Sequence, residues 1–265
     1  MMAMERGSQV NGHNEAQADP TTDAPKQLTA ANPLVIAAHE LKTPLVLMRQ
    51  LSLELLDDAD MTSDSAKTLA QRIRLTSERS LRLVDSLTRA ARLEDGLFAM
   101  EPICLDNVVS DVVTEILPLA ESLGQKITVR KSRTSRPIIA NRTLLRALML
   151  NIVDNSLQYN NRGQDIEILA RLVRPRAATP WFTVLEIRDH GVALSLGEFR
   201  RLRKNLGQAQ PLADRPLSSG LGLAIADVFA KKMNGSLDIM RHRRGGLTFA
   251  VTLPSSRQMT LWDLS

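Results

Sequence analysis

The stretch AAHELKTPL, residues 37–45, lies in a run whose apolar residues recur at the three- and four-residue spacing of one helix face. That face would contain Leu34, Ala38, Leu41, Leu45 and Met48. The pattern predicts a first helix from about Pro33 to Asp57. His39 lies off the apolar seam, so we expect its imidazole to be accessible to solvent.

His39 is followed by the carboxylate of Glu40 and, further on, by Pro44, which removes the backbone donor for the Glu40 carbonyl. We expect the helix to bend there. An accessible imidazole beside a carboxylate can act as a nucleophile, because the carboxylate accepts the ring proton and frees the other ring nitrogen. A single histidine on a helix flank is more often an ordinary surface residue, so the motif alone leaves both interpretations open.

The composition of the 265-residue chain indicates a globular protein of one large or two ordinary domains, because 43% of its residues are hydrophobic. The single cysteine, Cys104, excludes a disulfide framework and a cysteine-rich metal site. The net charge is +5, but 34 basic residues face 29 acidic ones and only 3% are aromatic, so nucleic-acid binding is not expected.

The chain has no apolar run of about 18 residues and no apolar core for a signal peptide, so we expect no transmembrane helix and a cytoplasmic protein. Residues 1–31 are polar and predict a disordered leader.

A second helix is predicted from about Ser65 to Asp95, with Ser63 or Asp64 as its cap and Gly96 at its end. Its heptad seam comprises Ala66, Leu69, Ile73, Thr76, Ser80, Leu83, Leu87 and Ala90. Two such helices joined by a short turn form an antiparallel hairpin with too small a core of its own. We expect a homodimer that completes a four-helix bundle; the alternative is a hairpin packed on its own C-terminal domain.

The remainder of the chain, from Ile103 onward, alternates predicted strands and helices. Strands are predicted at Ile103, at 126–132, at RPIIA, at 165–174, at 181–189 and in a final hairpin. Helices are predicted from about Asp106, a candidate cap, and over 141–159 and 223–233. The fold class is therefore α+β, with helices on one face of a largely antiparallel sheet.

Three further stretches carry residues suited to chemistry. Asn151 and Asn155 are four residues apart and share a helix face, where their amide oxygens are suitable ligands for Mg²⁺; simple polarity near a helix end is the alternative. Asp189 and Gly191 follow a strand, where a carboxylate could accept a hydrogen bond from a base while the backbone stays close. Gly220 and Gly222 precede an apolar helix whose N-terminal N–H groups could hold phosphate.

The order HELKTPL, NIVDNSLQYN, DHGVA, SSGLGLAIA and GLTFAVTLP resembles the sensor histidine kinases of two-component systems over about residues 33–254. The helix pair resembles their dimerisation and phosphotransfer domain, and the rest resembles the ATP-binding fold shared with gyrase, Hsp90 and MutL. The resemblance implies a hairpin domain at 32–96 and an α/β-sandwich ATP-binding domain at 97–256. The predicted disordered leader, 1–31, precedes them and a tail, 257–265, follows.

The resemblance also implies roles. His39 would be phosphorylated, Glu40 would polarise its ring, and Thr43 would position water in a phosphatase reaction. Asn155, supported by Asn151, would hold Mg²⁺ on ATP. The predicted nucleotide-binding residues are Asn151, Asn155, Gln158, Tyr159, Asp189, Gly191, Gly220, Leu221 and Gly222. The implied partners are a second copy, the receiver domain of a response regulator and, as a further candidate, an upstream sensor protein.

The chain departs from the family pattern at three positions: Ala193 replaces a glycine and is expected to be strained, Ser218 replaces a glycine, and Gln158 replaces a basic residue. Basic residues of the predicted lid, 194–217, could supply the missing charge, and 94–102 could be the hinge. The two functions in competition are an active histidine kinase and a catalytically weak dimeric scaffold. A serine kinase or ATPase of the same nucleotide fold is a third, which HELKTPL disfavours.

Overall fold

The computed structural model of the protein describes residues 33–57, 62–93, 98–130, 136–161, 163–173, 180–207 and 221–256, without the side chains of 33–36, 39 and 40. The predicted leader, residues 1–31, and the predicted tail, residues 257–265, lie outside the described residues. None of the helices in these ranges is long and apolar enough to cross a membrane.

The hairpin consists of α1, Pro33–Asp57, and α2, Ser63–Ala91. The bounds of α1 match the prediction, and the helix continues through Pro44. For α2 both predicted ends are wrong. Thr62, with its extended backbone, is the cap, and its Oγ1 accepts the Ser65 N–H at 3.2 Å, because Ser63 is already helical. The helix ends at Ala91, before Gly96.

The buried stripe of α1 shares Leu41 and Met48 with the predicted seam but differs from it at other positions. Ala37 and Leu51 are buried, whereas Ala38 is exposed and Leu45 is 57% exposed. The half-buried positions between and beyond them are Leu41, Pro44, Met48, Ser52 and Leu55. This stripe repeats every three or four residues, as the predicted one does, because α1 has two apolar faces and packing selects one of them. All eight predicted seam residues of α2 are half-buried.

The main sheet has five strands in the order β2-β4-β5-β7-β6, in which β2 and β4 are parallel and the other neighbours are antiparallel. Strands β1 and β3 form a separate antiparallel pair. The strands are β1 Glu101–Ile103, β2 Lys126–Arg130, β3 Ile138–Ala140, β4 Asp165–Val173, β5 Phe182–Arg188, β6 Ser236–Arg241 and β7 Leu247–Pro254.

Three helices cover one side of this sheet: α3 (Leu105–Ser122) packs on β2, α4 (Arg142–Tyr159) on β4 and β5, and α6 (Leu221–Lys232) on β6 and β7. Asn141 caps α4 by accepting the Leu144 N–H at 3.1 Å. Cys104 precedes α3, so Asp106 is not its cap. The predicted α+β class is confirmed.

A short helix, α5 (Leu196–Lys204), was not predicted; its residues were assigned to the lid. Ser195 and Glu198 form a reciprocal capping box at its start.

The C-terminal half of α2 packs against the α+β part of the chain. Leu83, Leu87 and Ala90 contact its core, and α2 contacts α6. Ala37 of α1, two residues before His39, belongs to the same core. Packing of the hairpin on its own C-terminal part, the alternative in the sequence prediction, is therefore present in this chain.

Candidate functional site

The C-terminal half of helix α4 carries a polar stripe beside buried apolar side chains. Asn151, Asp154, Asn155 and Gln158 follow one another at three- and four-residue spacing and are all half-buried. Ten other residues of the helix are buried, including Leu148 and Ile152, which have no exposed surface. Because core packing fixes the other faces of α4, the stripe is the face available to a ligand or to a neighbouring helix.

Two amides of the stripe contain buried nitrogens without a partner. Asn151 Nδ2 and Asn155 Nδ2 have no hydrogen-bond partner among the described residues. Leaving such a group unpaired costs about 1–3 kcal/mol, so the pair favours a ligand with several acceptor or donor atoms. Rotation of either amide by half a turn would present its oxygen instead.

These amides fit a magnesium ion that is shared with phosphate. Within the described ranges, no group of three His, Cys, Asp or Glu side chains could hold a metal ion. A cation here would therefore need amide oxygens and oxygens from a phosphate ligand, which is the coordination that Mg²⁺ takes with nucleotides. Asn155 and Asn151 are the residues that would hold it.

Asp189, directly after β5, is a buried carboxylate, 3% exposed, held in place by backbone donors. Its Oδ1 accepts the N–H groups of Gly191 and Leu247, each at 3.0 Å. The Asp189 N–H in turn donates to the Leu247 carbonyl oxygen at 3.0 Å. These bonds tie the end of β5 to the start of β7 and fix the orientation of the carboxylate.

Gly191 lies where any side chain would collide with the end of α4. A Cβ there would overlap the Tyr159 carbonyl oxygen and would lie 3.2 Å from Asp189 Oδ1. Gly246, with φ +80°, is similarly close to the backbone of Asp189. The structure thus brings Tyr159, Asp189 and Gly191, three of the predicted residues, together.

Two asparagines that were not predicted hold this group of residues together. Asn160 Oδ1 accepts the His190 N–H at 2.8 Å, and Asn161 Nδ2 donates to the His190 carbonyl oxygen at 2.5 Å. Asn160 Nδ2 also donates to the Gln164 carbonyl oxygen at 2.7 Å. The NN pair directly after the helix was the available signal, because asparagine often bonds to backbone groups at such ends.

The other end of the α4 stripe faces the start of α6. Leu221 begins that helix and is buried, and a Cβ on Gly222 would lie 4.0 Å from the Asn151 carbonyl oxygen. The backbone of the first turn of α6 is therefore close to Asn151. Gly220 and Ser218 lie outside the described residues.

One expectation about the departures from the family pattern, the strain at Ala193, is wrong, and two other residues concerned, Arg203 and Gln158, have protein partners. Ala193 is not strained, because Asn234 is the one residue other than glycine with positive φ in the described part of the chain. Arg203 of the predicted lid binds Asp238 with two nitrogens, at 3.0 and 3.1 Å. Gln158 Oε1 accepts a hydrogen bond from Arg79 of α2 at 2.5 Å.

The HELKTPL motif lies on α1, which includes His39 and Glu40; their side chains are outside the description. Thr43, one turn further on, is exposed. Of the predicted hinge, residues 94–97 are undescribed, and Glu101 and Pro102 belong to β1. An open cavity of about 990 Å³ lies at the turn of the hairpin, lined by residues such as Gln50 and Asp57, and includes none of the predicted site residues.

Two histidines flank the Asp189 region. His190 Nε2 lies 3.0 Å from Glu167 Oε1, which belongs to a carboxylate that also pairs with Arg130. His242 Nε2 lies 2.7 Å from Thr248 Oγ1. Burial lowers the pKa of His242 below its usual value, and the positive charge of Arg188 lowers it further.

Comparison with known proteins supports a shared family. The family model described as "Histidine kinase-, DNA gyrase B-, and HSP90-like ATPase" matches residues 140–257. The chain is 31% identical to the sensor protein CutS of Streptomyces coelicolor over 82% of its own length and 51% of that protein. It is 25% identical to the sensor-like histidine kinase SenX3 of Mycolicibacterium smegmatis over 89% of its length and 60% of that protein. The chain therefore spans about half the length of the curated relatives it matches.

Two solved structures share the fold. The Acinetobacter baumannii histidine kinase AdeS superposes with a TM-score of 0.55 at 17% identity, covering 83% of this chain and 98% of that one. Full-length ShkA in complex with AMPPNP gives 0.57 at 18% identity, over 87% of this chain and 47% of that one. The motif order, the fold and the sequence relatives lead to one conclusion: the chain belongs to the sensor histidine kinases of two-component signal-transduction systems.

Proposed function

We propose that this chain is an active, ATP-dependent protein-histidine kinase. A ring nitrogen of His39 attacks the γ-phosphorus of ATP, the bond from that phosphorus to the bridging oxygen breaks, and ADP leaves. The phosphoryl group then passes to an aspartate on the receiver domain of a response regulator. Phosphoryl transfer needs mainly positioning and neutralisation of charge, and the proposed roles of the site residues are of these two kinds.

The observation that carries this proposal is the pair of buried, unpartnered amide nitrogens on α4, next to the start of α6. Their burial has no structural compensation among the described residues, whereas a triphosphate with Mg²⁺ would provide it. The ion would be held by Asn155 and Asn151, and when bound it would supply neutralising charge on the phosphates. Gly220, Leu221 and Gly222 would contribute backbone N–H groups at the same end.

At the other end of the site, Asp189 and Gly191 would receive the adenine, beside Tyr159. The carboxylate is preorganised by two backbone N–H groups, so its orientation costs no entropy when the base arrives. Gln158 completes the predicted set on the stripe. The ShkA structure contains AMPPNP, an ATP analogue, in a protein of the same fold, which supports a nucleotide ligand here.

We further propose the division of the chain that the motifs imply, with the hairpin at 32–96 and the ATP-binding domain at 97–256. A leader precedes the hairpin and a short tail follows the ATP-binding domain. In the hairpin, Glu40 would polarise the His39 ring, and Thr43 would position water when the protein dephosphorylates its partner. Because ATP is available inside the cell, we propose that these domains act in the cytoplasm. An upstream sensor protein remains a proposed partner.

Homodimerisation is also proposed, because the hairpin leaves a second apolar surface in contact with solvent. Leu56 and Leu81 are 78% and 62% exposed, and Leu45, Val46, Leu53 and Val84 are each at least 40% exposed. Exposed apolar side chains on both helices of a hairpin are what a four-helix bundle buries.

The test uses γ-labelled ATP with Mg²⁺ and the full chain. Acid-labile label on the wild type is expected, and none on H39Q. N155A should also remain unlabelled while it still dimerises, and Q50A, which removes an exposed amide on α1, should be labelled like the wild type. Label on H39Q, or no label together with no nucleotide binding by calorimetry, would refute the proposal.

A second candidate function is a catalytically weak dimeric scaffold for phosphotransfer or dephosphorylation of a receiver. The observation that favours it is the engagement of Gln158 and Asp154 by arginines of α2 on the stripe that would face the nucleotide. It predicts an unlabelled wild-type chain that nevertheless accelerates loss of phosphate from a phosphorylated receiver.

A further inference from the structure

Helix α2 lies against the polar stripe of α4 through three side chains. Arg79 Nε lies 2.7 Å from Asp154 Oδ2 and its Nη2 donates to Gln158 Oε1 at 2.5 Å. Arg82 Nη2 lies 3.8 Å from Asp154 Oδ1. Ser86 Oγ donates to Asn151 Oδ1 at 3.4 Å. We call Arg79, Arg82 and Ser86 the α2 latch.

The latch matches the α4 stripe in register. Its residues are spaced by three and four along α2, and their partners Gln158, Asp154 and Asn151 are spaced by four and three in the opposite direction along α4. Each residue therefore meets its partner because the two helical periods coincide. The contacts are partly shielded from water, since the Asp154 side chain is 17% exposed and Ser86 is 5% exposed.

The same face of α4 carries the two unpartnered amides. Asn151 and Asn155 lie on the stripe between and beside the latch contacts, and Asn151 is itself a latch partner. A triphosphate on this face would need the space and the hydrogen-bonding groups that Arg79 and Ser86 occupy. The same polar atoms of α4 cannot bond to the α2 latch and to a nucleotide at the same time.

We propose that the α2 latch regulates the nucleotide site by competing with the nucleotide for the polar stripe of α4. This inference rests on the proposed function, because it concerns access to the same site. The α2 latch separates from α4 before the nucleotide binds. The nucleotide then stabilises the separated state to the extent that it binds that state more tightly.

Asp154 is the shared anchor of both arginines, and it is not among the residues assigned to nucleotide binding. D154N removes that anchor and keeps the shape of the side chain. R79Q/R82Q breaks the latch from the other side and leaves the Asp154 charge in place. The matched control is D111N, which removes an aspartate that pairs with Arg142 at 2.7 Å between α3 and α4, away from α2.

The experiment measures Mg²⁺–AMPPNP affinity by calorimetry and hydrogen exchange of the α2 amides, on the full chain with and without the analogue. We expect D154N and R79Q/R82Q to bind about 3- to 10-fold more tightly than the wild type, because they relieve partly exposed ion pairs of modest strength. D111N should be unchanged. Addition of AMPPNP should accelerate exchange over residues 79–86 in the wild type, and both latch variants should exchange rapidly without it.

Weaker binding by R79Q/R82Q would mean that the arginines hold the phosphates and would overturn the inference. Unchanged affinity in both latch variants, or nucleotide binding without any change in α2 exchange, would also overturn it while leaving the proposed function intact. Absence of nucleotide binding in every variant would refute the proposed function and the inference together.

Discussion

The carboxylate of Asp189 is predicted to have two roles: it stabilises the fold through hydrogen bonds to backbone N–H groups, and it binds the adenine of the nucleotide. The substitutions D189A and D189N separate these roles. Its Oδ1 accepts two buried backbone N–H groups, from Gly191 and Leu247. D189A leaves both donors without that partner, at about 1–3 kcal/mol each, so we expect a loss of about 2–6 kcal/mol in the free energy of unfolding. D189N keeps an oxygen at that position and forfeits mainly the charge, so we expect a loss of about 1–2 kcal/mol.

Nucleotide binding should respond differently from stability. In the proposed site the carboxylate accepts from the adenine amino group, and the amide nitrogen of D189N is a donor where an acceptor is needed, so both variants should lose AMPPNP binding. Urea unfolding followed by circular dichroism gives the stability, and calorimetry gives the affinity. Equal destabilisation by the two substitutions would contradict the role of the backbone bonds, and wild-type affinity in D189N would contradict the adenine assignment.

Three other predictions follow from the geometry. N160A removes the acceptor for the His190 N–H, so the segment that carries Asp189 should be held less firmly and the Kd for AMPPNP should rise at least several-fold. Q50A is the amide control and should leave the Kd unchanged. An unchanged Kd in N160A would exclude this positioning role. Because the pKa of His242 is lowered in the fold, its neutral form is favoured there, and the free energy of unfolding should fall as pH drops through the usual value of 6.5. H242Q should flatten that part of a profile of urea midpoint against pH. A profile identical to that of the wild type would contradict this prediction. L56S/L81S should convert a dimer to monomer in sedimentation at micromolar concentration, whereas L117S, which alters a 40% exposed leucine on α3, should not.

Much of the secondary structure was predictable, because helical and strand periods are local properties of the chain. The bounds of α1 agree with the prediction, and six of the seven strands agree to within a few residues or less; β1 was anticipated near Ile103. The short α5 was not predicted because its residues fall within the lid, 194–217, that the resemblance implies. Its capping box, Ser195 with Glu198, was a readable signal for the start of a helix.

The motifs predicted which residue types would meet, but not how they are held. Asp189, Gly191 and Tyr159 are brought together as expected, yet the asparagines that fasten His190 were not foreseen. Their partners are backbone groups about 30 positions away, and sequence patterns contain no information on such pairings. The strain expected at Ala193 was also wrong, because the backbone there does not adopt positive φ.

The sequence by itself determined the order of the elements, the α+β class and the chemistry available on each helix face, because these depend on residue type and on periods of a few residues. Only the tertiary structure decided which of two apolar faces α1 buries and what covers the polar stripe of α4. The residue pattern of the chain does not distinguish between the alternatives in either case. The packing of α1 against α2 settles the first, and the docking of α2 on α4 and α6 settles the second, because side chains such as Arg79 and Asp154, 75 positions apart, pair only once the hairpin has docked.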